Sequence, residues 1–490
     1  MNHTLYNLPL VLGIASMFAV GCQGVTSEPI KPNVVIIYVD DMGYGDVGCF
    51  GNDDIDTPQL NRMAEQGIRF TNFYNSASGC TPSRAALLTG RYHMRSKVNF
   101  IPPPKSSKGL PDGEITIAEV LRDAGYVTAA FGKWHLGTPK QSLPKAQGFD
   151  YFYGSTSAHT YFLPGNYNAE DELLAPVFES TPTKDTQKVG MVPTRDRLTI
   201  LTHKVEEFIK LQKQSKPYKP FFAYIPYPMP HAPIAVPEEL RGKAKSKRGV
   251  YADVMLDVDR NIGRVLDTLK KNGFEKDTLV MFASDNGPAT VYGNHGGSAY
   301  PLRGGKSTEF DGGVRTPCIM YWPGTIKPNQ TCGFPASTVD ILPTLVGLIE
   351  GARTPNQLSA DNRIIDGHDI RSLFLKGVDS TYDADQRIIP FYDIGARHLH
   401  AVRVGRWKMV YPHKNHIIAK PGRDGTFGRY GKKSYPKALY DMENDSQESI
   451  DVQAKYPEIV KRIDALADSV RSDLGDKLKG IEAGSKVGLP

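Results

Sequence analysis

The strongest hydrophobic pattern near the start of the chain is an unbroken run, Val34-Val35-Ile36-Ile37-Tyr38-Val39, which ends at Asp40-Asp41 and a glycine-rich turn. A run with no polar alternation predicts a strand covered on both faces. Residues 126–131, 221–225, 279–283 and 317–322 carry runs of the same kind. Between them the period changes. Leu198, Leu201, Val205, Phe208 and Ile209 fall at helical spacing. So do Val254, Met255, Val258, Ile262, Val265, Leu266 and Leu269, with Gly273 placed to stop that helix. Strands alternating with helices predict an α/β fold, a large mixed and mostly parallel sheet sandwiched by helices.

Sheets of this type bind ligands beyond the carboxyl ends of their strands. The polar residues at those ends are Asp40-Asp41, Lys133 with His135, His231, and Asp285-Asn286. Topology alone therefore collects them into one site. Near residue 380 the texture changes. Residues 400–410 read as two short strands turning at Gly405, followed by Leu439-Tyr440-Asp441 and a polar helix over 457–473. The expected division is a signal segment over 1–22, a catalytic domain over 30–380 and a smaller α+β subdomain over 381–490.

At 490 residues the chain suits one large domain and a smaller one, and a hydrophobic fraction of 40% with 23% charged residues is globular. The 59 Lys and Arg against 53 Asp and Glu leave a net charge of +6, compatible with an anionic partner without specifying one. Nothing in the pattern predicts a nucleic acid partner. The apolar run over residues 8–20 is too short to cross a hydrocarbon core of roughly 30 Å and fits a secretory signal. It ends in Ala19-Val20-Gly21-Cys22, similar to a bacterial lipobox. Lipid attachment at Cys22 and simple cleavage nearby are both open, and either predicts a periplasmic or extracellular enzyme, in the first case an outer-membrane lipoprotein. Of the five cysteines, Cys318 and Cys332 are the nearest pair for a single bridge.

The most informative stretch is Cys80-Thr81-Pro82-Ser83-Arg84 continuing to Leu88-Thr89-Gly90, followed by Gly132-Lys133-Trp134-His135-Leu136-Gly137. Here the sequence resembles the formylglycine-dependent sulfatases, an arylsulfatase-like branch of the alkaline phosphatase superfamily. The resemblance implies an alkaline phosphatase-like fold and sulfuric ester hydrolysis. It also implies a maturing enzyme, either formylglycine-generating or of the anaerobic type, that oxidises Cys80 to formylglycine. The hydrated aldehyde has two hydroxyls, one to attack sulfur and one whose deprotonation expels sulfate.

The chemistry can be stated independently of the resemblance. A sulfate ester is a stable monoanion with a poor leaving group, so hydrolysis needs a strong nucleophile, cations on the sulfate oxygens and an acid for the leaving oxygen. Asp40, Asp41, Asp285 and Asn286 match the family's ligands for one Ca²⁺, and hard oxygen donors suit that ion. Arg84 matches the Arg that holds the aldehyde. Lys133 and Lys306 match the two Lys that grip sulfate. His135 matches the base for the diol, and His231 the group that meets the leaving oxygen. Arylsulfatase-like members often carry a Ser-His pair after the second signature. Here the Ser position is Ala158, with His159 retained and Ser157 the candidate substitute.

Two basic stretches remain. Residues 241–248 carry five basic side chains and read as a solvated loop. Residues 413–433 mix Lys, Arg and His with Phe427 and Tyr430, which predicts contacts from Arg423 and Arg429 to a sulfated carbohydrate. A phosphatase or phosphonate hydrolase is the rival within the fold. Its members normally use Thr or Ser and often two metals, and Lys133 and Lys306 take the space of a second metal. A glycan-binding protein without activity is the rival outside it, opposed by the intact Cys80, Arg84 and ligand set.

Overall fold

The computed structural model describes Met1 and residues 31–483, except 104, 158–173, 216, 354–356, 359–362 and 376–382. The signal segment, Cys22 and His159 lie outside the described residues. No helix among the described residues is long and apolar enough to cross a membrane.

Eleven strands form the main sheet: β1 (Asn33–Val39), β2 (Ile68–Tyr74), β3 (Val127–Lys133), β4 (Tyr151–Ser155), β5 (Leu174–Thr181), β6 (Lys184–Pro193), β7 (Phe221–Ile225), β8 (Thr278–Ser284), β9 (Arg315–Tyr321), β10 (Gln330–Cys332) and β11 (Ala336–Ser337). Their order is β10-β2-β9-β8-β1-β7-β3-β4-β5-β6, with β11 also paired to β2. The central block β8-β1-β7-β3-β4 is parallel throughout. Antiparallel neighbours flank it, β9 on one side and the β5–β6 hairpin on the other. All five expected strands lie in this sheet.

Both faces of the sheet are covered, which is why β1 shows no polar alternation. Val34, Ile36 and Tyr38 join the core on one face with Leu87, Leu88 and Leu342. Val35, Ile37 and Val39 join the other with the Arg197–Gln214 and Val250–Lys271 helices. Each fully buried Val, Leu or Ile contributes about 1.5–3 kcal/mol, so these runs carry much of the fold. The Val250–Lys271 helix ends as expected, with Gly273 in the left-handed region at φ 76.

Further strands are β12 (Ile388–Tyr392), β13 (Leu399–Val404), β14 (Trp407–Val410), β15 (His413–Lys420), β16 (Arg429–Tyr435) and β17 (Ala438–Asp441). Strands β12-β13-β14-β17 form an antiparallel sheet, and β15 with β16 a separate hairpin. The β13–β14 turn falls at Gly405 and Arg406. The Pro457–Leu474 helix buries Ile463, Ala467, Val470 and Leu474 in a core with Leu399, Val402 and Met409.

The cysteine expectation is corrected. All four described cysteines are free. Cys318 on β9 and Cys332 on β10 both pair with Phe70, from opposite sides of β2. Two strand spacings of about 4.8 Å separate their backbones, beyond the reach of a disulfide.

Candidate active site

Cys80 opens the ten-residue helix Cys80–Thr89, every residue of which is buried. An anion forming at that position faces the positive end of the helix dipole. Two bonds tie this helix to the end of β3. Thr81 Oγ1 donates to the His135 carbonyl at 2.9 Å, and Arg84 Nη1 to the Lys133 carbonyl at 2.9 Å. The two signature segments, about fifty residues apart in sequence, are thus one unit. Gly132 lets β3 approach β7: at φ 142, a Cβ there would lie 2.0 Å from the Pro226 carbonyl oxygen.

Three carboxylates and three cations surround Cys80. Asp40 accepts Lys133 Nζ at 2.5 Å and lies 3.7 Å from Arg84 Nη2. Arg84 donates to Asp285 Oδ2 through Nε at 3.0 Å and Nη2 at 2.6 Å. Lys306 Nζ donates to both oxygens of Asp41, at 2.7 and 2.9 Å, and lies 3.6 Å from Cys80 Sγ. His231 Nε2 is 3.5 Å from Asp41 Oδ2. Asn286 Nδ2 donates to Asp41 Oδ1 at 2.7 Å, and the Asp41 amide to Asp285 Oδ1 at 3.2 Å. Asp41 and His135 take left-handed backbone conformations, at φ 64 and φ 56. For non-glycine residues these cost of order 1–3 kcal/mol each, which the surrounding packing must offset.

Burial shapes the protonation of the group. It pushes the Cys80 thiol up to about 11, with Lys133 and Lys306 opposing. A protonated thiol at neutral pH is a poor nucleophile and a poor metal ligand. Burial, then Lys133 and Arg84, holds His135 well below its ordinary range, and burial with Lys306 does the same to His231. Both imidazoles are therefore neutral at ordinary pH. Burial raises Asp41, opposed by Lys306, and raises Asp285 together with the charge of Asp40. Asp40 is held well down because Lys133 and the other cations outweigh its burial.

The donor set fits a hard divalent cation. Ligand atoms of Asp40, Asp41, Cys80 and His231 lie within 4.8 Å of one another. Asp285 and Asn286 join this cluster through Asp41. Asp40 Oδ1 and Asn286 Oδ1 are buried and have no hydrogen-bond partner. Leaving such atoms unsatisfied costs about 1–3 kcal/mol each, a cost that coordination removes. Oxygen donors favour calcium or magnesium over zinc.

Two models of protein families match the chain: Sulfatase over residues 32–352, and the C-terminal region of aryl-sulfatase over residues 384–486. The chain belongs to the sulfatase family. It is 34% identical to human arylsulfatase A over 461 residues, 89% of this chain and 87% of that protein. It is 35% identical to mouse N-acetylgalactosamine-6-sulfatase over 387 residues, 76% of this chain and 70% of that protein. Among solved structures, Ps i-CgsB in complex with k-i-k-neocarrahexaose superposes with a TM-score of 0.72 at 27% identity, covering 90% of this chain and 92% of that one. The sulfatase is thus a sulfuric ester hydrolase with the alkaline phosphatase-type sheet.

In this sulfatase Cys80, Arg84, Lys133, Lys306, His231 and the four oxygen-bearing residues form one contiguous cluster, with His135 joined through Thr81. Ser157 is buried just beyond β4. Arg423 and Arg429 are exposed on the β15–β16 hairpin and lie outside the cluster. Three contributors had no sequence signal. Asn75 donates to the Ser284 carbonyl at 3.0 Å, bracing the strand end that carries Asp285. Arg197 is buried against Ser155 Oγ at 3.2 Å, and the charge of Asp40 acts on it. Tyr292 feels the charges of Lys306 and Asp41, as Tyr430 does. Only Tyr430 stood out in the sequence, through its basic neighbours.

Proposed function

We propose that this sulfatase acts on a sulfated carbohydrate or polysaccharide outside the cytoplasm, through a formylglycine made from Cys80 and one bound calcium ion. The observation that carries the reading is the group of three carboxylates and three cations around Cys80, with Asp40 Oδ1 and Asn286 Oδ1 unsatisfied. Asp40, Asp41, Asp285 and Asn286 would hold the ion, which would supply positive charge toward the sulfate oxygens. Formylglycine, hydrated, supplies one hydroxyl to attack sulfur and a second whose deprotonation releases sulfate.

The remaining steps belong to the chain. The three carboxylates and three cations sum to about zero, so a dication leaves the site net positive toward an anionic ester. Lys133 and Lys306 bind sulfate oxygens. Arg84, gripped by Asp285, keeps its charge because that carboxylate outweighs the penalty of burial. Neutral His135 takes the proton from the diol. His231, beside Asp41, would pass the proton lost by the attacking hydroxyl to the leaving oxygen.

The hairpin supports a carbohydrate substrate. It docks through two amides, Gly422 and Gly428, that donate to the Val291 carbonyl. Phe427 meets Tyr292 and Tyr430 in edge contacts at 5.2 and 5.8 Å. The exposed Phe427 ring, next to the half-buried Tyr292 and Tyr430 that feel the Lys306 charge, suits a sugar face with anionic neighbours. The bound hexaose in the Ps i-CgsB structure is consistent with that class. The segment ending at Cys22 supports export to the periplasm or beyond, either lipid-anchored or cleaved nearby. Mass spectrometry of the peptide containing Cys80, with a panel of sulfated glycans, tests the reading. A fully active enzyme with an unmodified thiol would refute it.

A further inference from the structure

A second group of buried titratable side chains surrounds Glu309, on the loop that carries Lys306. Glu309 is 4% exposed and His400 3%. Glu309 Oε1 accepts Ser78 Oγ at 3.0 Å. Its Oε2 pairs with His400 Nδ1 at 2.6 Å and accepts Asn415 Nδ2 at 3.2 Å. His400 lies on β13 and Asn415 on β15. One carboxylate therefore joins the Lys306 loop, the segment preceding Cys80, and the C-terminal strands. The Ser307 amide donates to the Ser78 carbonyl at 2.9 Å, a second tie between the same two loops. Gly79 is pressed on Ile394, just after β12: a Cβ there would lie 2.6 Å from its Cδ1.

A buried ion pair is a poor way to gain stability, because desolvation offsets most of the attraction. Apolar side chains would fill the same space. What the pair adds is direction. Glu309 holds Ser78 Oγ while the Ser307 amide holds the Ser78 carbonyl, two residues before the one whose Sγ lies 3.6 Å from Lys306 Nζ.

We propose that Glu309 and His400 are positioning residues for Cys80. Their ion pair locks the C-terminal sheet onto Ser78–Gly79 and sets the distance between the Cys80 side chain and Lys306. This rests on the reading of Cys80 as the residue that becomes the nucleophile.

The pair is formed at neutral pH. His400 and Ser78 hold Glu309 below its usual range against burial, and Glu309 raises His400 against burial. His400 is faced by Glu309, Asp393, Asp476, His398 and His413, and Glu309 by His400, His413 and His93. Of these, His413 is pushed down to about 4 by burial and His400, so it stays neutral. The sign follows. The contribution of His400 is complete below its ordinary value of 6.5 and is lost as pH rises through the raised folded value. Glu309 fails only in acid. The lock therefore opens on the alkaline side.

The test uses the full-length matured enzyme and a small aryl sulfate, with intact mass reporting Cys80 modification. Glu309→Gln is expected to lower kcat per modified molecule about 10- to 100-fold, with KM within about twofold. Ser78→Ala, which removes one hydroxyl, should lower kcat in the same direction and serves if Glu309→Gln does not fold. His400→Gln keeps a donor without a charge, so it should recover part of kcat and abolish the alkaline fall. Unchanged kcat in Glu309→Gln and Ser78→Ala would overturn the proposal. So would an alkaline limb that is the same in all variants. Wild type that turns over no sulfate ester and carries an unmodified thiol would instead remove the reading of Cys80, and this proposal with it.

Discussion

Two of the charge clusters buried among the described residues use similar side-chain types and are finished differently. Around Cys80, Asp40, Asp41 and Asp285 face Arg84, Lys133 and Lys306, yet Asp40 Oδ1 and Asn286 Oδ1 have no hydrogen-bond partner. Between the main and C-terminal sheets, Lys408 is closed on every side. Its Nζ meets Asp311 Oδ1 at 2.8 Å, Glu448 Oε1 at 2.8 Å and the Glu309 carbonyl at 2.9 Å. Asp311 also accepts Tyr74 OH at 2.8 Å and lies 3.4 Å from Arg315. The titrations do not separate the clusters: against burial, Lys408 and its neighbours hold Asp311 at about 2 as Lys133 and the other cations hold Asp40 down, and burial raises Glu448 to about 7 as it raises Asp285. A closed network joins sheets. An open one, with two buried oxygens left without a hydrogen-bond partner, has donors to offer a ligand.

The largest expected effect breaks the comparison at its centre. Cys80→Ala should cut turnover by about four orders of magnitude or more while leaving the melting temperature almost unchanged. Cys80→Ser keeps one hydroxyl for transfer and lacks the second for release, so it should trap a sulfated serine visible in intact mass. Serine turning over at the wild-type rate would show that the second hydroxyl is not needed.

Next comes the ion. Asp285→Ala should lower activity about a thousandfold, by analogy with loss of one transition-state contact. Calcium at a hundred times its Kd should stabilise wild type by about 2.7 kcal/mol and the variant far less. Wild-type turnover after exhaustive chelation would exclude a metal role for the open cluster.

The closed cluster should respond in the opposite way. Lys408→Met leaves Asp311 and Glu448 buried without their shared cation and should cost about 3–5 kcal/mol. Lys408 touches no residue of the Cys80 cluster and reaches it only through the Glu309 carbonyl, so turnover per folded molecule should fall less than in Glu309→Gln. Denaturant melts and active-site titration separate the two quantities. A stable but inactive Lys408→Met protein would mean that the clusters are one machine.

What could be read in advance follows the range of the interactions. Strands buried on both faces, such as β1 and β8, announce themselves as apolar runs. The β5–β6 hairpin does not, because Lys184–Pro193 is polar and largely exposed. The candidate site residues were legible because Asp40, Asp41, Asp285 and Asn286 directly follow apolar strands, and Cys80, Arg84, Lys133 and His135 lie inside two local signatures. Asn75, Arg197 and Tyr292 enter through packing between distant segments, which leaves no local pattern. Whether Cys318 and Cys332 pair stayed open in the sequence for a related reason: closeness along the chain hid the strand lying between them. The Glu309–His400 pair was invisible because its members lie 91 residues apart.

The smallest effect concerns the rim of the open cluster. Arg423 carries a side chain 86% exposed and pairs with Asp424 at 3.3 Å, and Arg429 is exposed on β16. Exposed cations in water gain little from any single anion, and salt screens them. Their effect should appear only with a polyanion long enough to pass over the hairpin. Arg423→Ala with Arg429→Ala should raise KM for a sulfated oligosaccharide roughly two- to fivefold at low salt, with the difference shrinking at about 0.5 M salt. An aryl sulfate, too small to leave the Cys80 pocket, should be much less affected. Equal losses on both substrates would indicate a disturbed hairpin, since the glycines that dock it flank Arg423 and Arg429. Phe427→Ala then sharpens the result. It removes stacking without charge, so its effect should persist in salt, and a salt-sensitive loss would mean the ring only holds the loop in place.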